Sequence, residues 1–129
     1  MGVGHALDPM EVATGLEFMD LLAYIYLQHG LPDKAAVLLA ARDLLAPDDA
    51  RVLLSLALAQ VRSVKPAKAL QTLERLVLLG AMGAEFHLVR AQALQALQRQ
   101  EEALSAMRAY VAMQPPAASR AAATPAPST

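Results

Sequence analysis

The sequence predicts an all-α fold of three helix hairpins, six antiparallel helices in all. Three observations predict it. Ala35, Ala69 and Ala103 are spaced 34 residues apart, each early in a predicted helix, and Ala23, Ala57 and Ala91 keep the same period in the helix before. Pro47 and Pro115 lie two periods apart, and Pro32 and Pro66 one period apart. Between these marks, apolar residues recur at helical spacing. Two helices of a hairpin can cross closely only where neither carries a side chain beyond Cβ, so paired alanines at a fixed period mark crossing points.

The elements follow in order. Residues 1–15 form a loose start or a helix extension. Within them Asp8-Pro9-Met10-Glu11 reads as a capping box, and Thr14-Gly15-Leu16-Glu17 offers a second helix start. The first helix is expected to run to His29, with Gly30 as its stop. Pro32 opens the second, whose apolar stripe is Ala35, Leu38, Leu39 and Leu45. Asp48 or Asp49 then caps a third helix carrying Val52, Leu53, Leu56, Ala57 and Ala59. The fourth starts at Pro66, carries Ala69, Leu70, Leu73, Leu76 and Val77, and closes at Gly80. A fifth spans Ala84 to Leu97, with His87 toward the core. The sixth spans Gln100 to Met113, before Pro115-Pro116. The hairpins occupy 16–49, 50–83 and 84–117. The rest, 118–129, is Ala, Pro, Ser and Thr with one Arg120, a composition expected to stay disordered.

Composition narrows the function classes. The chain has 129 residues, net charge −1 and no cysteine. Near-neutral charge argues against nucleic acid or an anionic membrane as main partner. Absence of cysteine excludes disulfides, thiolate metal sites and cysteine nucleophiles. No signal peptide is expected, and no apolar run reaches the ~18 residues of a membrane span. His5, His29 and His87 are not at ligand spacing, and no Ser/His/Asp grouping or Gly-rich phosphate loop stands out. The expectation is a non-enzyme without metal or cofactor. Apolar residues make up 56% of the chain while aromatics make up 4%. That leaves an Ala/Leu-rich core or apolar surface open to a partner.

The 34-residue period resembles that of tetratricopeptide repeats, which form a short right-handed superhelix with a concave groove. In that family the first helix of each hairpin lines the groove. Carried over residue by residue, the groove takes Glu17, Asp20, Tyr24, Leu27 and Gln28 from the first repeat. Arg51, Leu54, Leu58, Val61 and Arg62 come from the second, and Glu85, Leu88, Gln92 and Gln95 from the third. An aliphatic floor flanked by charges of both signs suits an amphipathic or extended apolar segment. Asp20, Tyr24, Leu54 and Leu58 stand where heat-shock-protein-binding members use Lys, Arg and Asn to hold a carboxylate, and since these groups cannot hold one, that function is not expected. The third hairpin has no polar capping helix after it. Leu104, Met107, Tyr110, Val111 and Met113 make the sixth helix apolar nearly all round, so Met107, Tyr110 and Val111 form a possible second interface for self-association without client.

The segment from Phe18 to Pro115 resembles the tetratricopeptide chaperones of type III secretion systems, most of all the SctY/YscY family. The resemblance lies in Phe18-Met19-Asp20-Leu21-Leu22-Ala23-Tyr24-Ile25-Tyr26-Leu27-Gln28-His29-Gly30, in Ala35 to Pro47, and in Arg90-Ala91-Gln92-Ala93-Leu94-Gln95 with Glu102-Ala103 and Tyr110. It implies a bacterial cytoplasmic chaperone that stabilises an SctX-like secreted client and engages the export gate protein SctV. The SctG needle-subunit co-chaperones and the translocator chaperones are sister families. A general interaction scaffold is the alternative from another class. The Pro/Ala tail belongs to none of these patterns.

Overall fold

A computed structural model describes residues 8–116, and it is all-helical: α1 (Pro9–Gln28), α2 (Pro32–Leu45), α3 (Ala50–Arg62), α4 (Pro66–Leu78), α5 (Ala84–Ala96) and α6 (Gln100–Ala112). Each helix packs on the next in sequence, and α3 also touches α5. The expectations for the loose start with His5 and for the Pro/Ala tail fall on residues outside those described.

Local chemistry sets the helix limits. Asp8 wins as the first cap: its Oδ1 accepts from the backbone N–H of Met10 at 2.7 Å and of Glu11 at 3.1 Å. Residues 9–15 are therefore an extension of α1. Asp49, not Asp48, caps α3, accepting from Arg51 at 3.0 Å and Val52 at 3.2 Å. Pro32, Pro66 and the helix ends stand within a residue of expectation.

The hairpin turns repeat with the same 34-residue period as the alanines. Leu31 N–H donates to Tyr26 O, Lys65 to Gln60 O and Arg99 to Leu94 O, at 2.8, 2.8 and 2.9 Å. Just before each donor the backbone is left-handed, at Gly30 (φ 68°), Val64 (φ 60°) and Gln98 (φ 61°). These are three copies of one helix-ending motif, 34 residues apart. Only Gly30 is the residue type that conformation favours. Val64, β-branched and exposed, occupies it at a steric cost.

The core is three small clusters in a row. Ala23, Ala35, Leu39, Val52, Leu56 and Ala59 make the first. Leu53, Ala57, Leu73, Leu76, Phe86 and Val89 make the second. Ala91, Leu94, Ala103 and Ala106 make the third. All six periodic alanines are buried, as close helix crossing requires. Three expectations are corrected. Leu45 and Val77 are exposed, because α2 and α4 turn Arg42, Asp43 and Thr72 inward at neighbouring core positions. His87 is only half-buried and sits edge-on to Phe86, with ring centroids 5.1 Å apart. Phe86 and Val89 are the true core residues at the start of α5. No described helix is long and apolar enough to cross a membrane.

Candidate protein-binding site

The first helices of the hairpins carry matching positions 34 residues apart. The sets are Glu17/Arg51/Glu85, Asp20/Leu54/Leu88, Tyr24/Leu58/Gln92 and Leu27/Val61/Gln95. Contact between α3 and α5 brings Arg51, Leu54 and Glu85 around a cavity of about 430 Å³, backed by Phe86 and Leu76. A smaller cavity of about 190 Å³ places Arg51 with Asp20, Asp49 and Val52, joining α1 to α3. Arg51 lines both. Asp20, Arg51 and Glu85, one from each hairpin, thus line two cavities that share Arg51. Tyr24, Arg51, Arg62 and Gln92 are exposed, while Leu27, Leu54, Leu58, Val61 and Leu88 are half-buried.

That burial corrects the picture of a free aliphatic floor. Leu54, Leu58 and Val61 pack against the second core cluster, and Leu27 packs against the first. They are the flank of the core, so a charge placed there strikes the fold itself. Tyr24 is the most open apolar side chain of this face, 59% exposed.

Asp20 is also not a free ligand for a partner. Its carboxylate lies 3.0 Å from Nε of the buried Arg42, which also reaches Asp49 at 3.6 Å and donates to Ala46 O at 3.2 Å. The 3.0 Å contact is an ion pair without hydrogen-bond alignment, since neither atom has a bonding partner. The aligned contact is Arg42 Nη2 to the other carboxylate oxygen, at 3.5 Å. Asp20 thus balances a charge that α2 buries.

A second network ties the first hairpin to the second. Arg75 on α4 clasps Asp43 on α2 with two bonds of 2.5 and 2.9 Å, and donates to Asp48 at 2.9 Å. Asp48 N–H donates back to Asp43 at 3.2 Å. The Arg75 hydrogen bond holds the Asp43 carboxyl below its ordinary range, although burial opposes this. The same bond makes the Arg75 guanidinium still harder to deprotonate. A signal for the burial of Arg42 and Asp43, though not for their partners, was present in the sequence: Ala35, Leu39, Arg42 and Asp43 follow core spacing along α2.

Among the described residues, both ends of the row of hairpins are apolar and open. At the α6 end Leu104, Met107 and Val111 border a depression of about 330 Å³ with Arg108, while Tyr110 is half-buried and off its rim. The first-hairpin end was not singled out from sequence. There Leu22, Tyr26, Val37, Leu38 and Ala41 surround a cavity of about 460 Å³ edged by Asp33 and Lys34. The Lys34 ammonium lies 5.9 Å from the Tyr26 ring centroid, within cation–π range. The described residues contain no group of three or more His or carboxylate side chains placed to hold a metal ion. Compared with protein-family models and with curated proteins, the chain matches none.

Proposed function

We propose that this chain is a tetratricopeptide-type chaperone that holds a protein client on the face shared by α1, α3 and α5. The observation that carries the reading is the joined pair of cavities along that face, where Arg51 links an acidic side at Asp20 to an apolar side at Leu54. Such a surface offers the outer edges of half-buried leucines and the open ring of Tyr24 with charges beside them, the pattern that receives one face of an amphipathic helix. The 34-residue period supports the repeat family. The resemblance to the SctY chaperones supplies the client class: a small SctX-like secreted component of a type III secretion system, kept in the bacterial cytoplasm and presented to the SctV export gate.

The test uses exposed residues, so that the fold stays intact. Tyr24 and Gln92 hold the same repeat position at the two ends of the face. Tyr24→Glu with Gln92→Glu places two charges where a client's apolar side would be desolvated. Co-purification of an SctX-like protein from the same genome is expected with the wild type and lost with the double variant, at unchanged helicity by circular dichroism. Retention at wild-type stoichiometry would move the client off this face. Failure of the wild type to hold an SctX-like protein would overturn the chaperone assignment, and capture of a needle subunit instead would shift it to the SctG class.

A further inference from the structure

The two open ends are the separated halves of a junction that the molecule already contains. Between the second and third hairpins, α4 presents Leu70, Leu73, Glu74 and Val77 around a cavity of about 260 Å³. Facing them are Phe86, Arg90, Leu94 and Arg99. One repeat after the first set stand Leu104, Met107, Arg108 and Val111, which line the open depression on α6. Two repeats before the second set stand Phe18, Leu22, Tyr26 and Leu31. Leu22 and Tyr26 line the open cavity at the first hairpin, and Phe18 and Leu31 are exposed beside it.

Burial follows the presence of a neighbour. Leu39 and Leu73 are each 2% exposed, while Met107, the third residue of that series, is 38% exposed. Val52 and Phe86 are each 4% exposed, while Phe18, the first of its series, is 64% exposed. Nor are the ends made polar, as terminal repeats ordinarily are. Where the internal junction has Arg90 and Arg99, the first hairpin has Leu22 and Leu31.

We infer that the two end faces bind each other between copies: the α6 face of one chain seats on the α1/α2 face of the next and continues the row of hairpins. The occupant is a second copy because the surface α1/α2 lacks is the one α4 supplies internally, and α6 is its repeat counterpart. Asp33 and Lys34 border one face and Arg108 the other, so the stacking offers Arg108 a carboxylate partner in Asp33, while Lys34 is drawn to the Tyr26 ring. Two different patches meet, so the contact is head-to-tail and grows into open chains rather than stopping at a dimer. It uses surfaces apart from the α1/α3/α5 face and stands whether or not that face holds a client.

Sedimentation velocity on the full chain tests this. Phe18→Glu spoils one face and Leu104→Glu the other, both at exposed positions. The wild type is expected to grow past two chains as concentration rises to the high micromolar range. Each variant alone is expected to stay at the 13.7 kDa of one chain. An equimolar mixture retains one intact face of each kind and is expected to give a species of two chains and no larger. Should either variant lose helicity, Val37→Glu or Met107→Glu replaces it. A wild type that stays monomeric overturns the inference, as does a mixture that stays monomeric. A variant that still dimerises alone also overturns it, because that contact would be like-to-like.

Discussion

Phe18 and Phe86 hold the same place in the repeat, two periods apart, and the fold treats them oppositely. The ring of Phe86 is sealed among Leu53, Ala57, Leu73 and Leu76, whereas that of Phe18 stands in solvent. Both lie on the first helix of a hairpin, Phe86 at the start of α5 and Phe18 midway along the extended α1, and both follow an acidic residue, Glu17 and Glu85. The difference is the hairpin that packs against α5, whereas among the described residues no second hairpin covers this side of α1. In a row of hairpins that touch only their neighbours, burial belongs to the junction rather than to the residue. The interior junctions hold the molecule together, and the end faces are the same surfaces left unmatched.

Truncating the two rings tests that comparison most directly. Phe86→Ala is expected to cost about 3–5 kcal/mol, from lost burial and the cavity left behind. Phe18→Ala is expected to stay within about 0.5 kcal/mol in the dilute monomer. Urea unfolding of the two variants at low concentration measures both. Equal costs would break the comparison.

The polar junction between the first two hairpins comes next. Asp43→Ala removes the carboxylate that Arg75 clasps, with an expected loss of about 1.5–3 kcal/mol at neutral pH. The sign of its pH dependence follows from the lowered Asp43 pKa. The folded state binds that proton less readily than the unfolded chain, so the contribution is complete above the ordinary value of 3.8. It is lost as pH falls below that value, through the folded pKa. The stability gap between wild type and Asp43→Asn is therefore expected to narrow below about pH 4. A gap that is constant with pH would assign the cost to packing alone.

The smallest effect concerns the hairpin turns, where Gly30 and Val64 share one left-handed position. Val64→Gly relieves about 1–2 kcal/mol of steric cost and gives back part of it through a freer unfolded chain. A net gain of about 0.5–1 kcal/mol is expected, read as a higher Tm. Gly30→Val imposes the same strain and is expected to lower Tm. If Val64→Gly lowers it too, local strain is not what separates the two turns.

What the sequence determined by itself was everything with a local cause. Prolines, aspartate caps and Gly30 set helix limits within a residue, because each acts on backbone groups at most four positions away. The alanine period located the crossings, because close approach of two helices requires small residues wherever it occurs. The composition of the α1/α3/α5 face was legible for the same reason: a 34-residue step returns each side chain to the same side. Three things were decided only by tertiary structure. Leu54, Leu58 and Val61 became the flank of the core once α5 packed on α3. Asp20 was taken up by Arg42, and Asp43 by Arg75, pairings across 22 and 32 residues that no local pattern encodes. Phe86 was buried and Phe18 left open because desolvation depends on what lies across the junction, and equivalent residues of a repeat meet different neighbours only at its ends.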